Sequence, residues 1–159
     1  MSNSRSADYR YTYQLPALGK VGQYQMSGIP FITASVPVNP GSSAPTEVIF
    51  PSVTRFVTVT NDATGSNKPL RVGFSSLGVT GSEYNDNGED NYFVLNNGES
   101  YTGEFRVGAV YLLGASKPFV VRTPMLGSPS VTTASIVAGL TGIPQVALKD
   151  NWSGSSGVG

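Results

Sequence analysis

Three observations predict an all-β sandwich. β-Branched and aromatic residues gather in short runs separated by turn residues, the pattern of strands. Gly (19) and Pro (11) supply 30 of the 159 residues, well above a usual share of about 12%, which favours many turns. No long stretch carries the 3.6-residue apolar period of an amphipathic helix.

The elements follow in order. In residues 9–15, Tyr9, Tyr11, Tyr13 and Leu15 share one face, with Arg10, Thr12 and Gln14 on the other, the alternation of a half-buried strand. Strands are next expected over 31–38 and 47–50, separated by a loop with Pro40, Gly41 and Pro45. A Val/Thr-rich strand follows over 53–60, and another over 70–77. Residues 92–95 and 100–106 flank Asn96-Asn97-Gly98-Glu99, a hairpin signal because Asn and Gly tolerate positive φ. Residues 107–113 are apolar on both faces and predict a central strand. Residues 119–123 and 131–137 complete the set, and 134–140 read equally as a short helix. Pro16, Pro30 and Pro37 place the early strands at sheet edges, where a missing N–H is tolerated.

An open sheet of so many strands curls or splits, so two packed sheets or a barrel are expected. A single jelly-roll β-sandwich, with eight core strands in two antiparallel sheets, fits if residues 9–15 form an extra arm. An immunoglobulin-like sandwich fits the spacing equally. The expected layout is an N-terminal arm over 1–28, the sandwich over 29–143 and a Gly/Ser-rich C-terminal tail over 144–159. That tail is expected to be flexible alone, yet it carries the chain's one tryptophan, Trp152.

Composition narrows the function. Ten basic and ten acidic residues cancel, so no field of the kind that holds a phosphate backbone is expected and no direct nucleic-acid partner. Charged residues make up 13% of the chain, about half the usual share, which suits either a surface covered by neighbours or one solvated by Ser, Thr and Asn. Residues 1–8 lack the apolar core of a signal peptide, and retention in the cytosol is expected. The longest apolar run, 107–115, includes two glycines and is too short to span a bilayer.

Histidine and cysteine are both absent. Ser-His-Asp and Cys-His catalysis is therefore closed, as are histidine- or thiolate-bound metal sites. Glu99 and Glu104 are five apart and fall on opposite strand faces, a poor acid–base pair. The acidic loop over 83–91 offers Asp86, Asn87, Glu89 and Asp90 as calcium ligands, but the spacing is not that of an EF-hand and a solvated turn is the expected reading. No phosphate-binding glycine loop occurs, and the sequon at Asn151 is expected to be unmodified. No enzyme activity and no cofactor are expected. The tyrosines Tyr9, Tyr11 and Tyr13, with Trp152, read either as core-facing residues or as an assembly interface, and the terminal position favours the interface, where apolar area is combined with a polar atom that a partner can satisfy.

The segment Tyr9-Arg10-Tyr11-Thr12-Tyr13-Gln14-Leu15-Pro16 leads into Val21-Gly22-Gln23-Tyr24-Gln25 and Gly28-Ile29-Pro30-Phe31-Ile32-Thr33. With the closing Asn151-Trp152-Ser153-Gly154-Ser155-Ser156-Gly157, it resembles the penton (vertex) proteins of nucleocytoplasmic large DNA viruses. The likeness covers mainly the two ends. It implies a single jelly roll and a homopentamer at each icosahedral vertex, contacting the major capsid protein and minor capsid proteins. It implies termini that face the capsid interior or adjoining proteins. The protein would reside in the virion after assembly in the host cytoplasm. A minor or decoration capsid protein and a carbohydrate-binding β-sandwich are the competing expectations.

Overall fold

The computed structural model describes residues 28–41, 43–65, 68–81, 90–115, 132–150 and 156–157. The strands expected over 9–15 and 119–123 lie outside them. Eight strands build the body: β1 (Ile29–Val38), β2 (Thr46–Ile49), β3 (Thr54–Asn61), β4 (Leu70–Gly73), β5 (Tyr92–Leu95), β6 (Ser100–Gly103), β7 (Ala109–Gly114) and β8 (Thr132–Leu140). One short helix, α1 (Ser76–Thr80), follows β4. A two-residue pair, β9 (Lys149–Asp150) and β10 (Ser156–Gly157), closes the chain.

The topology is that of a rolled ribbon. β1 pairs with β8, β2 with β7, β3 with β6 and β4 with β5, all antiparallel. This nested set is one long double strand folded at its middle. Two further antiparallel pairings, β3 with β8 and β4 with β7, roll the ribbon up. The result is two four-stranded sheets, β1-β8-β3-β6 and β2-β7-β4-β5. The protein is a single jelly roll, an eight-strand architecture of two Greek keys. The immunoglobulin-like alternative is excluded by this strand order.

Alternation sets the core. β3 buries Val57 and Val59 and turns Thr58 and Thr60 outward. β8 does the same with Ala134, Ile136 and Ala138. Opposite them, β4 and β7 supply Leu70, Val72, Val110 and Leu112. Aromatic rings close the two open sides of the sandwich. Phe31 meets the fully buried Phe50 edge-on at 5.2 Å between ring centroids. On the far side Phe93 of β5 faces Tyr101 of β6 at 4.7 Å, and Phe105 packs on Phe74 at 4.6 Å.

Several expectations are corrected. The Asn97-Gly98 turn forms, with Gly98 at φ 75 and the Glu99 N–H donating to Asn96 O at 3.0 Å. It does not make a hairpin, because β5 pairs with β4 and β6 with β3, in different sheets. Crossing between sheets lets Phe93 and Tyr101 pack against each other from opposite sheets at the open side of the sandwich rather than side by side on one face. Asn61 pins this crossing. It is fully buried; its amide donates to Lys68 O at 2.9 Å and Leu95 O at 3.0 Å, and its carbonyl accepts from Thr132 Oγ1 at 3.1 Å.

The strand expected over 70–77 ends at Gly73, because Ser75 starts α1 instead: its Oγ accepts from the Gly78 N–H at 3.0 Å, a helix N-cap. The helix reading of 134–140 fails, since β8 is a central strand flanked by β1 and β3. The proline reading agrees with the structure: β1, with Pro30 and Pro37, is an edge strand, broken by a bulge at Ser35 with φ 56. β7 is central, as its two apolar faces require. Beyond residue 143 the chain keeps packing, with Leu148 against Val53 and Ile143.

Candidate functional site

The two sheets present different outer faces. In the second sheet, Arg71 and Gly73 of β4, Tyr111 and Leu113 of β7, and Glu47 and Ile49 of β2 point outward. Helix α1 lies over part of this face. Val79 is fully buried, and a Cβ on Gly73 would stand 3.2 Å from its Cβ. Arg71 is almost fully buried. It donates to Thr80 O at 3.0 Å and its guanidinium lies 4.3 Å from the Tyr92 ring centre. Gly81, at φ 71, leaves room here: a Cβ would meet Asp90 Oδ1 at 2.8 Å and Arg71 Nη1 at 3.1 Å.

Beside α1 a half-open cavity of about 250 Å³ is lined by Glu47, Ile49, Phe74, Ala109, Tyr111 and Leu148, among others. The Tyr111 hydroxyl donates to Glu47 Oε1 at 2.7 Å. Its pKa is pushed up to about 12, first by burial and then by the hydrogen bond to Glu47 and its charge. A phenol held there keeps its proton at neutral pH and is ill-matched to acid–base work, which needs a pKa near the operating pH.

The outer face of the first sheet is organised as registered rows. Ile32, Val137, Thr58 and Thr102 lie side by side across all four strands. Ser135, Thr60 and Ser100 form the next row, and Pro30, Gly139 and Phe56 another. The Thr58 and Thr102 hydroxyls share a hydrogen bond of 2.8 Å. Ile32 is 70% exposed and the adjoining Val137 38%. No charged residue belongs to these rows. Charges stand at the rim, where Ser135 donates to Asp62 and Arg55 pairs with Glu104 at 3.0 Å. The centre of this face is thus uncharged, with Ile32 and Val137 as exposed apolar residues among Ser and Thr.

The candidate residues named from sequence fall unevenly. Tyr9, Tyr11, Tyr13 and Trp152 lie outside the described residues, as do Asp86, Asn87 and Glu89. Of the calcium candidates only Asp90 is described, beside Arg71 and Gly81. Among the described residues no group of three acidic, His or Cys side chains is placed to hold a metal ion. Glu99 and Glu104 are used separately: Glu99 Oε2 accepts from the Asn96 N–H at 2.7 Å, and Glu104 pairs with Arg55. Tyr92, an aromatic that a sugar platform would expose, is instead half-buried under Arg71. Sequence reasoning missed Ile32 and Val137 as surface residues. The available signal was the adjacent apolar pair Phe31-Ile32, which alternation cannot bury on one side.

No known protein family matches the chain, and no curated protein matches it. Among solved structures, one similar chain is from the Bacillus endospore appendages that "form a novel family of disulfide-linked pili". It is 18% identical, over 72% of this chain and 94% of that one, with a TM-score of 0.27. A likeness at that level carries no argument, and this chain has no cysteine with which to form a disulfide. Among the described residues no helix is long and apolar enough to cross a membrane.

Proposed function

We propose that this is a structural capsid protein, the penton that forms a homopentamer at icosahedral vertices and contacts the major and minor capsid proteins around it. The observation that carries the reading is a jelly roll, an architecture of viral capsid domains, with one outer face whose rows are uncharged and leave Ile32 and Val137 exposed. The terminal segments that resemble penton proteins support it, as does the low content of charged residues. In this reading the protein contributes shape and contact area rather than catalysis, resides in the virion and needs no cofactor. Tyr9, Tyr11, Tyr13 and Trp152 serve as its assembly residues. A five-membered ring needs a heterologous interface, one patch of each copy meeting a different patch of the next.

Light scattering and electron microscopy of the purified full chain test the proposal. Five-membered rings are expected. A species that stays monomeric at every protein and salt concentration overturns it.

A further inference from the structure

We propose that the uncharged outer face of the first sheet seats residues 9–15 of a second copy of this chain; this rests on the self-assembling reading above. The face is too small to hold two copies by flat contact. Four strands set about 4.8 Å apart place roughly 14 Å between the axes of β1 and β6. With a strand length of roughly 20 Å, that is on the order of 300 Å², against about 800 Å² per partner in a stable interface. A single extended segment of seven residues, roughly 23 Å long, is the occupant that a face of this size fits.

The chain outside the described fold has the reach and the starting point. It joins at Gly28, whose N–H donates to Leu140 O at 3.1 Å. Leu140 is the last residue of β8, so the upstream chain departs from the end of the edge strand, at the rim of this same sheet. Extended, the twelve residues between Leu15 and Gly28 reach roughly 40 Å. A domain of this length is only about 40 Å across, so a neighbour's face lies within range.

The chemistry matches. On one side of an extended 9–15 stand Tyr9, Tyr11, Tyr13 and Leu15. Their apolar parts suit Ile32 and Val137, and tyrosine hydroxyls can be satisfied by the Ser and Thr rows beside them. Arg10, Thr12 and Gln14 then face away from a surface that has no charge to meet them.

The absence of cysteine allows a direct test in the full chain. Tyr11→Cys and Val137→Cys variants are made singly, carried on differently tagged copies, co-expressed and mildly oxidised. A disulfide joining the two tags is expected, and the double variant should give a covalent ladder ending at the ring. A monomer with an internal disulfide places the segment on its own sheet and overturns the inference. Dimers of Val137→Cys alone mean that two faces meet, and also overturn it. Oligomers of confirmed mass that form no cross-link sink this inference and leave assembly standing, whereas a purely monomeric chain sinks assembly itself. As a second readout, Ile32→Arg should abolish the mixed disulfide while circular dichroism still reports the folded sandwich; an undiminished cross-link counts against the seat.

Discussion

Leu113 and Val137 are both apolar residues that point away from the shared core, one from each sheet. Leu113, on the second sheet, is fully buried; Val137, on the first, is 38% exposed with Ile32 beside it at 70%. Helix α1 accounts for much of the difference, because the connection from β4 to β5 folds back over its own sheet and brings Val79 down on Gly73. The first sheet receives no such cover from the described residues. A jelly roll therefore has one interior but two further faces, and each must be solvated, covered by its own chain or covered by another. Here α1 covers the second sheet around Gly73 while Ile49 of the same sheet stays exposed, and the assembly proposed above would give the first sheet the third solution.

The largest expected effect separates the two faces by truncation. Leu113→Ala should destabilise the protein by about 3 kcal/mol, the cost of a cavity at a fully buried leucine. Val137→Ala should cost no more than about 1 kcal/mol in the dissociated chain, where little burial is lost. Urea unfolding at matched concentration measures both. Equal costs would mean that the first sheet is covered in the monomer, and the contrast would vanish.

A smaller effect is expected at the crossing that lets the two sheets differ at all. Asn61→Ala removes the donor to Lys68 O and Leu95 O and the acceptor for Thr132. Leaving such buried partners unsatisfied costs about 2 kcal/mol. The same unfolding experiment reads it. A neutral outcome would show that the corner is held by the packing of Phe93 on Tyr101 rather than by Asn61.

The smallest effect concerns the cavity on the second sheet. The folded Tyr111 value of about 12 lies above the ordinary value near 10. As pH rises the unfolded state loses this proton first, so the contribution is complete below about pH 10 and disappears as pH climbs through about 12. The stability difference between the wild type and Tyr111→Phe should accordingly shrink between about pH 10 and 12. Glu47→Gln should lower the tyrosinate midpoint only in part, because burial is the first cause. A pH-independent difference would show that Tyr111 is solvated as an ordinary phenol.

Local pattern made much of this legible. The Val/Thr-rich run over 53–60 and the two-faced apolarity over 107–113 announced a strand and a central strand, and β3 and β7 are those strands. Prolines 30 and 37 marked the edge position of β1, for want of two N–H groups. The candidate interface is less legible, since its rows draw on β1, β8, β3 and β6, segments far apart in the chain.

The sequence by itself determined the all-β class, most strand positions and the closure of histidine- and thiol-based chemistry, because side-chain period and residue type are local properties. The tertiary structure alone decided that β5 and β6 part company at Asn97-Gly98, that α1 shelters one sheet, and that Ile32 and Val137 meet in the open. Which strand pairs with which is a competition among distant segments for backbone hydrogen bonds and buried rings, and no short window of sequence contains both competitors.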